Sequence, residues 1–222
     1  MKNIVLTFDD GLQNHLSFVA PLLKKYGFGA TFFVCEFPDA DKFPAGTYLD
    51  WNGIKTLSDM GFEIGNHTRN HPDCRALDDK TLAAEVGYIQ EKCREYGIPV
   101  PVSFAYPGGP IADNAIPLLR RMGFSAARAC TMCSGCNLPG KADPFRMAAV
   151  PVQEAEGGAD FFEIVRNVEE GTDTILVFHG VPDIPHPWVH TSQEYFIRCM
   201  DFLAAGKYNV VAMKDINERY NK

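Results

Sequence analysis

Short apolar runs alternate with amphipathic stretches along this chain. The first run, Ile-Val-Leu at residues 4–6, has the length and composition of a buried strand. A later stretch places Leu82, Val86, Ile89 and Cys93 at the three- and four-residue spacing of an amphipathic helix. Alternation of this kind predicts βαβ units that build a parallel sheet.

Four of the predicted helices end in the same way, with a glycine shortly before the next apolar run. These glycines are Gly27, Gly61, Gly97 and Gly123. A glycine just past the last helical turn most easily adopts the left-handed conformation that ends a helix. The repeated ending therefore predicts where four helices stop and four strands begin.

Two further strands are predicted at residues 175–178 and 209–212, with helices around residues 159–168 and 192–205. Seven or eight parallel strands in total indicate one domain over residues 1–222 with the fold of an irregular (β/α) barrel. An open doubly wound sheet is the alternative.

The composition is that of an ordinary globular protein, with 46% hydrophobic and 22% charged residues among 222. A net charge of −7 and the lack of a Lys/Arg run argue against nucleic acid or an anionic membrane as partner and favour a neutral or cationic substrate. No apolar run approaches the roughly 20 residues of a membrane span. The N-terminus resembles no secretion leader, which predicts a cytoplasmic protein unless a leader was removed before residue 1.

The chain has seven cysteines, and an odd number without a secretion leader fits a reducing compartment. Cys130, Cys133 and Cys136 have a C-x2-C-x2-C spacing that could supply three thiolates to a metal. Because no further cysteine or histidine lies nearby in sequence, we favour a loop with free or paired thiols.

Polar side chains follow four of the predicted strands directly. They are Asp9 with Asp10, the segment 66–71, the segment 106–109, and His179 with Gly180. In a parallel barrel the C-terminal ends of all strands share one face, and that face holds the active site. The sequence therefore predicts an active site built from these four clusters.

His67 and His71 are four residues apart, so on a helical turn they would lie on one face and chelate one ion. Asp10 completes a set of two histidines and one carboxylate, which leaves coordination positions open for water and substrate, as catalytic zinc sites do. The same set suits Fe2+, Co2+ or Ni2+.

The remaining polar residues complete a hydrolytic site. A metal lowers the pKa of a bound water towards neutrality, and Asp9 is placed to act as the base for that water. His179 is the candidate acid for the leaving group. The turn at Gly108 and Gly109 offers backbone N–H groups to an oxyanion. Together these parts indicate metal-assisted hydrolysis of an amide or ester.

These motifs resemble those of the polysaccharide deacetylases, the NodB-homology enzymes of carbohydrate esterase family 4. The matching segments are Thr-Phe-Asp-Asp-Gly at 7–11, His67-x3-His71, the turn at 104–109, and Leu-Val-Phe-His at 176–179. Their order and spacing cover nearly the whole chain.

The resemblance implies a distorted (β/α) barrel and a divalent metal, usually Zn2+, bound by Asp10, His67 and His71. It implies Asp9 as general base and His179 as general acid in removing acetyl groups from an N- or O-acetylated oligosaccharide or polysaccharide. On the same resemblance, Gly108 N–H would meet the oxyanion and Val177 would line the acetyl pocket. Tyr106, Pro107 and Trp188 are further candidate substrate contacts: Tyr106 could line the groove or sit in the wall behind it, and Trp188 could stack on a sugar ring or anchor its loop.

The sequence departs from the family pattern in two places. Ala105 stands where the family usually has an arginine that pairs with the catalytic aspartate, and Arg128 is the candidate replacement. The Asp-x-x-Asp-Trp motif is missing, and the loop at 130–143 occupies about its place. Both departures indicate an altered substrate or weaker activity on common chitin-like substrates.

Two other functions stay open: hydrolysis of a small amide, imide or ester at the same site, or carbohydrate binding without turnover. His15 is interpreted as a helix cap, and His186 and His190 as surface or structural residues. The sequence does not predict the sugar, its linkage or the oligomeric state.

Overall fold

The computed structural model describes residues 1–37, 40–130, 135–154 and 159–220. Within these ranges nine strands form one sheet. The strands are β1 Lys2–Phe8, β2 Thr31–Val34, β3 Glu63–Asn66, β4 Ser103–Ala105, β5 Ala126–Arg128, β6 Cys136–Asn137, β7 Val150–Pro151, β8 Asp173–Phe178 and β9 Tyr208–Val211. The helices are α1 Ala20–Tyr26, α2 Trp51–Asp59, α3 Asp79–Glu95, α4 Ile116–Arg121, α5 Phe161–Arg166 and α6 Gln193–Ala205.

The sheet follows the order β5-β4-β3-β2-β1-β8-β6, and every pair is parallel except β6 with β8. A parallel bridge joins Arg128 to Met147, and β7 pairs with β8. The segment between Met147 and β7 therefore lies between the two ends of the sheet and links them. The predicted barrel is confirmed in a distorted form.

Strand β1 is central because both of its faces are buried. Ile4, Leu6 and Phe8 pack with residues of the surrounding helices, whereas Val5 packs with Val177 and other residues inside the barrel. This alternation follows from the two-residue period of a strand in a closed sheet. The first apolar run of the sequence is thus buried on both faces of the sheet.

Helix ends agree with the sequence prediction. Gly27, Gly61, Gly97 and Gly123 all have φ between 66° and 93°, the left-handed region that side chains disfavour. At the other end, aspartates cap several helices, as Asp78 does by accepting a hydrogen bond from Thr81 N–H at 2.7 Å. These local signals place each helix between two strands of the sheet.

Of the cysteine triplet, Cys133 lies outside the described residues, so the interpretation of that loop stays a prediction. Cys130 N–H donates to Gly109 O at 3.0 Å, and Cys136 begins β6. None of the helices in the described ranges is both long and apolar enough to cross a membrane.

Candidate active site

The C-terminal ends of five strands meet around one cavity of about 660 Å³. Asp9 and Asp10 follow β1, His67 follows β3, Tyr106 follows β4, Arg128 ends β5 and His179 follows β8. All six side chains line the cavity. The predicted meeting of the polar clusters at one face of the barrel is therefore observed.

The chain turns sharply after β1. Asp10 and Gly11 both have left-handed backbones, with φ of 75° and 67°. Aspartate tolerates this conformation better than most residues, yet it still stores strain of a kind that clusters at functional sites. The turn separates the directions of Asp9 and Asp10, so that each carboxylate meets a different set of partners.

Asp10, His67 and His71 bring three donor atoms within 4.8 Å of one another. Asp10 Oδ1 is 3.7 Å from His67 Nε2 and 3.9 Å from His71 Nε2, too far for direct hydrogen bonds. His67 Nδ1–H donates to Ala105 O at 2.8 Å, which leaves the lone pair of Nε2 for a ligand bond. This is the donor set of a catalytic metal site.

The predicted helical turn between the two histidines is wrong. The strand ends at Asn66, whose side-chain oxygen accepts a hydrogen bond from Thr68 N–H at 2.9 Å. Thr68 and His71 then adopt left-handed backbones with φ of 64° and 53°. Two such residues bend the loop back, so a loop rather than a helix face brings His71 to His67.

Electrostatics favour a cation at this site. Burial, together with the charges of Asp9 and Asp183, raises the pKa of Asp10 well above its usual range. Burial lowers the pKa of His67 to about 3 and also lowers that of His71, so both imidazoles are neutral and able to ligate. Because a divalent cation would favour the ionised form of Asp10, the residues present fit a metal.

Asp9 is held by a buried arginine. Arg128 Nη2 donates to Asp9 Oδ1, and the guanidinium also lies over the ring of Phe33. Burial by itself would raise the pKa of Asp9, but Arg128, His67 and His179 outweigh it and lower that pKa to about 2. Asp9 is therefore an ionised carboxylate, with its Oδ2 3.8 Å from His67 Nε2.

The segment after Asp10 clamps the loop that carries His179. His15 Nε2–H donates to His179 O at 3.0 Å, Asn14 Nδ2–H donates to Pro182 O at 2.7 Å, and Val181 N–H donates to Asn14 Oδ1 at 3.1 Å. His15 opens a π-helical turn, a form often found at functional sites. The interpretation of His15 as a helix cap is wrong, because its ring is fully buried against this loop.

His179 Nε2 lies 4.0 Å from Asp10 Oδ2. Burial lowers the pKa of His179, and the charges of Asp9 and Asp183 work in the opposite direction. Buried Asp183 holds the same loop by accepting hydrogen bonds from Gly180 N–H at 2.9 Å and His186 N–H at 2.7 Å. The loop therefore has a defined shape beside the cavity.

The family is decided by comparison with known proteins. The sequence model described as polysaccharide deacetylase matches residues 1–127, which include Asp9, Asp10, His67 and His71. The chain belongs to the polysaccharide deacetylase family. A peptidoglycan-N-acetylglucosamine deacetylase of Bacillus cereus is 32% identical over 124 residues, which cover 55% of this chain and 54% of the relative. The chain spans about half the length of the curated relatives it matches.

Solved structures show the same fold. A family 4 carbohydrate esterase from Bacillus anthracis aligns with a TM-score of 0.64 and 19% identity, over 98% of this chain and 83% of its own. A family 4 pseudoenzyme from the same organism aligns with a TM-score of 0.65 and 15% identity, over 99% and 66%. The alignments show the fold alone, and a carbohydrate esterase and a pseudoenzyme share that fold.

Residue 105, where the resemblance predicts an arginine, is an alanine, and the structure shows which residue contacts Asp9 instead. Ala105 of β4 lies opposite Arg128 of β5 in the sheet register. Arg128 therefore reaches Asp9 from the neighbouring strand, while Ala105 leaves room inside the barrel. The predicted replacement by Arg128 agrees with the observed ion pair.

Predicted substrate contacts are only partly brought together. Tyr106, Gly108 and Trp188 line the cavity, and Tyr106 is held in its wall by a 3.0 Å hydrogen bond from its hydroxyl to Phe145 O. Pro107 and Val177 are not among the described residues that line the cavity. Val177 instead packs inside the barrel, because it alternates with the outward-facing Leu176 and Phe178.

The sequence interpretation missed residues that reach the cavity from loops. His186 is interpreted from the sequence as a surface or structural residue, yet its Nδ1 lies 3.8 Å from Asp10 Oδ2. Further lining residues are Phe37, Lys42, Phe43, Gln153, Pro185 and Val189. A histidine in a proline-rich loop carries no periodic pattern, so only its place in the loop that follows His179 hinted at this role.

Proposed function

We propose that this chain is a metal-dependent hydrolase that removes acetyl groups from N-acetylated, or O-acetylated, carbohydrate. One observation carries the proposal: an ionised Asp9, a set of three metal-ligating residues and His179 face the same cavity. Membership of the polysaccharide deacetylase family supports an acetylated sugar as the substrate.

Asp10, His67 and His71 would hold the metal, with Zn2+ as the first candidate and Co2+, Ni2+ or Fe2+ as others. When bound, such an ion supplies a Lewis acid and lowers the pKa of water near it. The chain's own residues supply the proton transfers and the orientation.

Asp9 is the proposed base. Its Oδ1 is engaged by Arg128, which leaves Oδ2, on the side of His67, to accept a proton from water. The water oxygen bonds to the acetyl carbon, and the bond from that carbon to the sugar nitrogen or oxygen breaks. His179, in its protonated form, gives the departing atom its proton, so that acetate and a free amine or hydroxyl are released, and the proton that Asp9 took from water is then returned to His179 through solvent.

Gly108 is the proposed oxyanion donor. The sequence offered two glycine N–H groups, but Gly109 N–H donates to Tyr106 O at 3.0 Å. Gly108, with φ of 68°, lines the cavity, so its backbone N–H would lie near a carbonyl group bound there. A single backbone donor is therefore expected at this position.

The test combines metal analysis with acetate release. Wild-type protein is expected to bind about one metal ion per chain and to release acetate from acetylated sugars, and His67→Ala/His71→Ala is expected to lose both. His190→Ala is the matched control, because His190 does not belong to the three ligating residues in the described structure. Acetate release at full rate without metal would contradict the proposal.

A second candidate, hydrolysis of a small amide, imide or ester, is favoured by the size of the cavity. About 660 Å³ is typical of sites that enclose one small molecule. A panel of small acetamides and imides beside the sugars separates the two, since only one class would show saturable turnover.

A further inference from the structure

The loop at 183–189 brings two side chains to the cavity that the proposed reaction does not use, His186 and Trp188. The backbone of this loop is fixed, because Asp183 Oδ1 accepts a hydrogen bond from His186 N–H at 2.7 Å. The two side chains are therefore presented in a defined orientation next to Asp10.

The ring of His186 has one buried edge. Its Nδ1 is buried, 3.4 Å from Asp183 Oδ1 and 3.8 Å from Asp10 Oδ2. The side chain as a whole is 14% exposed, and it lines the cavity. Because Nδ1 itself is covered, the exposure belongs to the other ring atoms, with Nε2 among them. The imidazole thus turns its outer edge towards the cavity.

His186 is also packed between two aromatic rings. Phe37 lies 5.2 Å away and Trp188 5.5 Å away, measured between ring centroids. Phe37 in turn stacks on His71 at 5.0 Å. An aromatic wall therefore runs from the candidate metal ligand His71 to Trp188 and restricts how His186 can rotate.

Trp188 ends this wall with an exposed indole. It is 65% exposed, although it borders the cavity. Large aromatic groups exposed beside a cavity indicate binding surfaces, and an indole offers a flat apolar face with a polar N–H at its edge. A pyranose ring has a complementary shape, with an apolar C–H face and hydroxyl groups around its edge.

We propose that the 183–189 loop forms a saccharide subsite. Trp188 packs on the apolar face of a sugar ring, and His186 exchanges a hydrogen bond with a hydroxyl group of that ring. The bound sugar lies beside the acetylated unit whose acetyl group reaches Asp10. The inference rests on the proposed deacetylase function for the identity of the ligand, and it deepens that function by assigning the recognition of the sugar to this loop.

Binding can be measured without turnover. The chain has two tryptophans, Trp51 and Trp188, so Trp51→Phe makes Trp188 the only tryptophan. This variant is titrated with N-acetylglucosamine and its β-1,4-linked oligomers of two to six units while tryptophan emission is recorded. We expect a saturable change in emission with these sugars, and none with acetamide alone.

Kinetic variants then test each side chain in the wild-type background. Trp188→Ala is expected to raise KM roughly three- to tenfold, with a smaller effect on kcat, because stacking on an aromatic face contributes to binding. Trp188→Phe should restore most of the loss. Ile184→Ala is the matched control, since Ile184 is a 74% exposed apolar residue of the same loop that is not among the described residues lining the cavity.

His186→Phe keeps the aromatic packing but removes both nitrogens. It is expected to raise KM while the bound metal, measured by elemental analysis, stays at the wild-type level. Loss of metal in His186→Phe would make His186 a ligand and overturn its place in the subsite. An equal KM for Trp188→Ala and Ile184→Ala would overturn the assignment of Trp188.

The two proposals fail in different ways. Saturable emission changes without acetate release support the subsite and contradict the deacetylase function. Acetate release with no emission change and no KM effect in Trp188→Ala supports the function and overturns the subsite. If sugars change neither emission nor acetate, both are wrong.

Discussion

The buried pair of Arg128 and Asp9 gives the sharpest prediction about this fold. Both side chains are buried at the centre of the site, and their contact joins residues 119 positions apart. Replacing Arg128 by Met keeps most of the side-chain volume but leaves the Asp9 carboxylate without its cation. The perturbation is therefore electrostatic rather than steric.

The expected cost follows from the surroundings. Removing one partner of a buried ion pair typically costs about 3–5 kcal/mol, because the other charge stays buried and uncompensated. Asp9 borders the cavity, where water can partly solvate its charge, so we expect the lower end, about 3 kcal/mol for Arg128→Met. In Asp9→Asn/Arg128→Met both charges are gone, and most of that loss should be recovered.

Urea denaturation of chelator-treated protein at pH 7 measures each free energy of unfolding, and the double-mutant cycle gives the coupling between the two residues. The exposed pair Arg121 and Asp79, 3.4 Å apart, is the matched control and should show a coupling below about 0.5 kcal/mol. If Asp9 and Arg128 coupled as weakly as this surface pair, the claim that Arg128 holds Asp9 ionised would be refuted.

Three further predictions concern the loops around the site. Burial lowers the pKa of His15 from 6.5 to about 4, so the unfolded chain binds a proton in this window that the folded chain does not. His15 should therefore contribute a loss of about 3 kcal/mol of stability as the pH drops from 6.5 to 4, and in urea titrations the fall over this range should be smaller by about that amount in His15→Gln. Asp183→Ala removes an acceptor for two backbone N–H groups and should lower the free energy of unfolding by about 2–3 kcal/mol, measured by thermal or urea unfolding. Unchanged stability in this variant would refute the anchoring role of Asp183. Gly109→Ala would place a methyl group 2.7 Å from Cys130 O and should destabilise the fold by about 1–3 kcal/mol more than Gly61→Ala, where the same left-handed strain meets open space. Equal melting temperatures for these two variants would contradict the clash.

Much of the architecture was predictable because its signals are local. A glycine at the end of a helix and an apolar run in the following strand are properties of a few neighbouring residues, and the structure confirms them at Gly27, Gly61, Gly97 and Gly123. A barrel of parallel strands brings all C-terminal strand ends to one face whatever the loops do. The meeting of Asp9, Asp10, His67 and His179 at one cavity follows from that rule, whereas the position of His71 also depends on the loop after β3.

Contacts between loops needed the tertiary structure. Arg128 reaches Asp9 because β5 lies beside β4 in register, and His15 is buried because the 179–182 loop folds over it. No periodicity in the sequence encodes either contact, since each joins segments that are more than 100 residues apart.

The candidate metal ligands were predictable from local sequence, whereas the residues around them were not. Asp10, His67 and His71 were recognisable from residue type and spacing, but the loop that joins the two histidines uses left-handed backbones that residue spacing does not predict. The position of His186 beside Asp10 depended on how a proline-rich loop packs, and the inward direction of Val177 depended on how a barrel strand packs. The sequence by itself determined which polar side chains are available and the face of the barrel where they gather. The tertiary structure decided which side chains surround that chemistry, because burial and packing between distant segments set their positions.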